Sequence, residues 1–178
     1  MSLRLESIND DVRRFMLQEV EYDAQNETLY RSKHFNDTGN ASYLELIRQT
    51  VQHYDDDWLA DRIRRGNCMN QTYTKRKPKG GHTEAKVPWN APDTFAEGEF
   101  NRFYARGLCL HATATGVPAL LVYRAKAVMV PRADSQAMIG TMIEAQALLA
   151  DLRIHQGVDT ALGLPNGPNS GLSVRLPE

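Results

Sequence analysis

Leu44, Ile47, Val51, Tyr54 and Trp58 recur at the spacing of one helical face, and Ile63 extends the stripe. A stripe of that length must be covered by other apolar groups, so the chain is obliged to fold around helices. Its ends carry matching signals. Ser42 and Glu45 form a capping box, in which each side chain satisfies a free backbone N–H. Arg62, Arg64 and Arg65 suit the negative end of a helix, and Gly66 supplies a left-handed stop. The spacing predicts one helix over residues 42–65.

Three further helices follow from the same rules. Asn9 is a good N-cap, with Asp10 and Asp11 where the helix dipole favours negative charge and Val12, Phe15, Met16 and Val20 on one face. A capping box at Thr94 and Glu97 opens a helix carrying Phe100, Phe103, Tyr104, Leu108 and His111, which Gly116 and Pro118 end. Another box at Thr141 and Glu144 opens a helix with Ala145, Leu148, Leu149 and Leu152 inward, ended by Gly157. Between the last two lies "ALLVYRAKAVMV", rich in β-branched and aliphatic residues and closed by Pro131. It reads as a strand over residues 119–130, whose partner would be "KVPW" or "GLSVRL". With 178 residues, the expectation is a single α+β domain, mostly helical, with about four helices, a small β element, a long extended arm and an extended tail.

The arm is residues 66–92, where three prolines and three glycines interrupt any period. A connection that long inside a compact domain tends to be functional. It is also where the charge of the chain changes sign. Residues 1–63 carry 7 basic and 13 acidic side chains, residues 64–86 carry 7 basic and 1 acidic, and the whole chain has net charge −1. Lys75, Arg76, Lys77, Lys79 and Lys86 could neutralise phosphates or an acidic protein surface, and Tyr73 and Trp89 could stack on bases. The acidic first third could equally attract the basic middle, within one chain or between copies. The tail, residues 157–178, is too rich in Gly and Pro for a helix and too apolar at Leu162, Leu164, Leu172, Val174 and Leu176 to be solvated throughout. It should lie extended against its own domain or a neighbour.

Chemistry-bearing patterns are sparse. There is no Walker A sequence, no G-x-G-x-x-G and no G-x-S-x-G elbow, so no cofactor is expected and an enzyme is disfavoured. His53, Asp57 and Asp61 on one helical face could bind a divalent ion, with a solvated acidic face as the competing reading. His111 reads as a hydrogen-bonded core histidine. Cys68 and Cys109 have no metal-type spacing, and with no secretory h-region they suggest reduced thiols in a cytoplasmic setting. No apolar run approaches the roughly 20 residues a membrane-spanning helix needs.

"EFNRFYARGLCLHA", "LLVYRAKAVMVPR" and "GLPNGPNSGLSV" are similar to uncharacterised proteins encoded among the structural genes of tailed bacteriophages. The resemblance implies a virion component, such as a head-decoration, neck or tail subunit, assembled in the host cytoplasm against copies of itself and other proteins. The arm and tail suit that role, because neighbours in an assembly would cover surface that a monomer leaves bare. A nucleic-acid-binding accessory protein using the basic segment 73–89 is the alternative, and a metal-dependent enzyme around His53, Asp57 and Asp61 the third reading.

Overall fold

The computed structural model describes residues 3–78, 80–157 and 170–177. Among them are six helices and two small antiparallel sheets, a mostly helical α+β fold. The centre is α4 (Ala91–Ala114), packed by α1 (Asp10–Gln25), α3 (Asp56–Arg65) and α6 (Ala145–Ile154). Its aromatic and small residues point all round the helix, so Phe95, Phe100, Phe103, Tyr104, Leu108, Cys109 and Ala112 are all buried. Gly107 is where α1 and α4 come closest: a Cβ there would stand 2.7 Å from the Met16 backbone nitrogen.

Helix starts differ from the sequence expectation in an instructive way. Asn9 does cap α1, its side chain accepting from the Val12 N–H at 2.9 Å. None of the three capping boxes opens a helix. The stripe over residues 42–65 belongs to two helices, α2 (Asp37–His53) and α3, with Tyr54 extended between them. Asn36 caps α2 by accepting from the Gly39 N–H at 2.9 Å, and Ser42 instead donates back to the Thr38 carbonyl. Asp55 caps α3, accepting from the Trp58 N–H at 2.9 Å, so the Asp55, Asp56, Asp57 run is a helix N-terminus. Arg13 makes the break tolerable: it donates to the carbonyls of Val51 at 2.9 Å and Tyr54 at 3.0 Å, which the interrupted helix leaves open. Pro92 lies in the first turn of α4, ahead of Thr94. Residues 142–144 form β4 (Met142–Glu144), and α6 starts only after it.

The larger sheet has the order β4-β3-β5, with β3 (Ala119–Arg124) central and β5 (Leu172–Arg175) antiparallel to it. "GLSVRL" is thus a partner of the strand, and "KVPW" is not. The strand stops at Arg124, short of the expected Val130; α5 (Ala133–Met138) follows before β4. Leu120, Val122, Leu172 and Val174 turn into the core, and Leu176 packs on its edge. Leu172 and Val174 are therefore used within their own domain and offer no surface to a neighbouring subunit, while Leu176 is half-buried at its edge. Leu162 and Leu164 lie outside the described residues.

An ionic cluster sits within this apolar core. Arg106 donates to Glu19 at 2.8 Å and bidentately to Asp23 at 2.8 and 2.9 Å. Arg102 donates to Asp23 at 3.2 Å and to Glu99 at 2.5 Å, and Glu99 also accepts from the Tyr43 hydroxyl at 3.2 Å. Arg153 of α6 closes the set on Glu19 at 3.0 Å. Three carboxylates face three guanidiniums, and all but Arg153 are buried. Burial works against the Arg102 charge, yet Glu99 and Asp23 more than offset it and hold its pKa above the ordinary value. Burial and the Glu99 charge raise the Tyr43 pKa far above that of an exposed phenol.

Candidate interaction surface

Residues 66–92, read above as an irregular arm, contain a β-hairpin of β1 (Thr72–Arg76) and β2 (His82–Lys86). Thr72 stands opposite Lys86, Thr74 opposite Glu84 and Arg76 opposite His82. Side chains alternate across a strand, so these six share one face, while Tyr73, Lys75, Thr83 and Ala85 share the other. Gly80 (φ 91°) and Gly81 (φ 78°) take left-handed conformations at the turn, and the Lys77 N–H donates to the Gly81 carbonyl at 3.0 Å. Lys79 lies outside the described residues.

The root of the hairpin is fixed firmly. Phe35 and Met69 form an antiparallel bridge, the Asn70 N–H donates to the His34 carbonyl at 2.8 Å, and the Val87 N–H to the Gln71 carbonyl at 2.9 Å. Tyr73 meets the His34 ring edge-on at 4.6 Å, with the Lys33 ammonium 5.2 Å from its centroid. Beyond the root nothing covers either face: apart from half-buried Tyr73 and Ala85, every hairpin residue is exposed. A cleft of about 430 Å³ opens beside the root, between the end of α3 and the start of α4. Ile63, Met69, Val87, Pro88 and Pro92 line it, with Arg64, Asn67 and Gln71, and Trp89 stands on its wall with 86% of its surface exposed.

Many cations elsewhere are paired, while the hairpin gathers several that are not. Arg14, Arg48, Arg64, Arg65, Lys126 and Arg175 each meet a carboxylate. Lys75, Arg76, Lys77 and Lys86 meet none among the described residues. Of the acids of residues 1–63, Asp61 meets Arg65 at the end of α3 at 2.9 Å, but none pairs with the lysines and arginine of the hairpin. Glu19 and Asp23 hold Arg102, Arg106 and Arg153 of α4 and α6, and Glu21 holds Arg48 at 2.7 Å.

The cleft is the part of this surface that sequence reasoning missed, because its lining comes from both flanks of the hairpin and no local pattern joins them. The hairpin left a trace in "TYTKRKPKGGHTEAK", two threonine-bearing runs about a Gly-Gly turn. His53 and Asp57 do not share a helical face, since the extended Tyr54 separates α2 from α3. Among the described residues no three His, Cys, Asp or Glu side chains converge as metal ligands. His111 is half-buried, its ring edge-on to Phe15 at 6.1 Å. Cys109 is buried in α4, and burial raises its thiol pKa to about 12. No helix among the described residues is long and apolar enough to cross a membrane. Comparison with protein-family models, curated proteins and solved structures found no match to this chain.

Proposed function

We propose that this protein is a non-catalytic interaction subunit of a larger assembly, and that the β1–β2 hairpin docks it onto an anionic partner. One observation carries the reading: Lys75, Arg76, Lys77 and Lys86 cluster on one short hairpin, all exposed and without a carboxylate partner among the described residues. A two-stranded ribbon alone is marginal in water, so partner contact would order it further. The similarity of three sequence stretches to phage structural-gene products suggests that the assembly is a phage particle, with other copies of this chain among the neighbours. The apolar tail no longer supports that role, because Leu172 and Val174 are used inside the domain.

The test is the native mass across a concentration range, at low and high salt, for the wild type and for Lys75→Ala/Arg76→Ala/Lys77→Ala/Lys86→Ala. The expected result is a concentration-dependent oligomer that salt dissociates and that the variant does not form. A wild type that matches the variant at every concentration and salt would count against docking of copies through the hairpin.

A further inference from the structure

We infer that the hairpin is an arm for insertion into the groove of duplex nucleic acid. The inference rests on the docking reading above and names the partner's chemistry.

The argument is the distribution of cations over the two faces. Arg76 and Lys86 lie on one face, with His82 opposite Arg76. Lys75 lies on the other; Lys77 continues the ladder one residue past β1, its N–H donating to the Gly81 carbonyl at 3.0 Å, and alternation gives it the same sense as Lys75. A flat acidic protein surface meets one face of a ribbon and leaves the other in water. A groove has phosphates on both walls. A two-stranded ribbon with its side chains is about 10 Å thick, and the major groove of B-form DNA is about 12 Å wide and 8.5 Å deep. Such a groove lets both faces meet phosphates together. Arg76 and Lys86 are about 14 Å apart along the ribbon, the axial rise of about four nucleotides of one strand.

The remaining hairpin chemistry fits the same placement. Gly80 and Gly81 carry no side chain at the turn. Thr74 and Thr83 present hydroxyls on opposite faces, where they can bond phosphate or base edges. Glu84 stands on the Arg76 and Lys86 face and is the one group that opposes a phosphate wall. Neutralising it should therefore tighten binding.

The experiment is fluorescence anisotropy of a short labelled duplex DNA of mixed sequence, with a single strand of the same length and a poly-glutamate competitor, over a salt series. Four proteins are compared: wild type, Arg76→Ala/Lys86→Ala, Lys75→Ala/Lys77→Ala, and Glu84→Gln. The expected result is that the duplex binds more tightly than the single strand or poly-glutamate. Each two-cation variant should lower the slope of log K against log salt by about 1.8, since each neutralised phosphate contributes about 0.9. Glu84→Gln should bind more tightly than wild type. Equal binding of duplex and single strand, or dependence on one face alone, would overturn groove insertion. Loss of salt-sensitive self-association in the hairpin variants without any duplex preference would overturn this inference and leave protein docking standing. A wild type that neither self-associates nor binds any of these polyanions better than its variants would overturn both. All substitutions lie on exposed positions, and unchanged circular dichroism melting confirms that each variant is folded.

Discussion

Two sets of cations in this molecule have the same chemistry and opposite fates. Arg102 and Arg106 lie inside the helical core, each held by two carboxylates. Lys75, Arg76, Lys77 and Lys86 stand on a hairpin with no carboxylate partner among the described residues. In the core, an unpaired guanidinium would carry a desolvation cost that packing could not offset, so every charge has its counter-charge. On the hairpin, water solvates each cation, and the absence of a partner costs the monomer little. The buried pairs therefore mark where the fold is held together, and the cluster of unpaired cations on the hairpin marks a surface that can meet something else.

The largest way to break the contrast is to remove one member of the core set. Arg106→Ala leaves Glu19 and Asp23 buried with part of their compensation gone, which should lower stability by about 3–5 kcal/mol. Urea denaturation of the purified variant measures it. A loss below about 1 kcal/mol would mean that water reaches the cluster and that the core and hairpin cations are alike. Next in size is Gly107→Ala. Its methyl would meet the Met16 backbone and push α1 from α4 at the crossing that keeps Glu19 and Asp23 in register with Arg102 and Arg106. Overpacking of this kind costs about 1–3 kcal/mol, and the same denaturation assay reads it. If Gly107→Ala and Arg106→Ala act through the same interface, the double variant should lose less than the sum of the two.

The hairpin should respond in the opposite sense. Replacing Lys75, Arg76, Lys77 and Lys86 together by alanine should change stability by less than about 1 kcal/mol, since exposed substitutions away from special features are nearly neutral. Partner binding should be lost all the same. A large destabilisation would show that these side chains support the fold, and the distinction between the two regions would fail.

The difference between the regions also explains what could be read from the sequence. Asn9, the tail strand, and the existence of helices around residues 12–25, 44–63, 94–114 and 145–154 were legible, because burial imposes a period on local sequence. The split at Tyr54 was not: its stabilising contact comes from Arg13, about forty residues upstream. Nor was the ionic cluster, although a trace exists. On α1 the inward stripe of Val12, Met16 and Val20 is continued by Glu19 and Asp23, and Arg102 and Arg106 interrupt the aromatic run of α4 at the same spacing. Charged residues at inward positions of two helices are a signal of mutual pairing that no single helix reveals. The hairpin was missed for the reverse reason. With neither face buried, no apolar alternation marks it, and its cations were legible as composition long before their geometry was.

The smallest effect concerns the joint between the two regions. His34 abuts the hairpin root through Tyr73, and its buried Nδ1 has no hydrogen-bond partner among the described residues. Burial, with the neighbouring Lys33 ammonium, lowers its pKa below the usual imidazole value. A base whose folded pKa is depressed takes up protons more readily when unfolded, so its contribution to stability is complete above about pH 6.5 and is lost as the pH falls through the folded value. Glu21, held below the usual carboxylate range first by its hydrogen bond to Arg48, loses its contribution only in more acidic solution. The two windows are therefore separate. Between about pH 5 and 7 the urea midpoint of the wild type should rise with pH, and His34→Gln should flatten the rise. If the slope survives in His34→Gln, another group couples the hairpin to the core. If hydrogen exchange shows that only the amides of Asn70, Thr74 and Val87 respond to pH in this range, the titration loosens the hairpin root alone and leaves the ionic core intact.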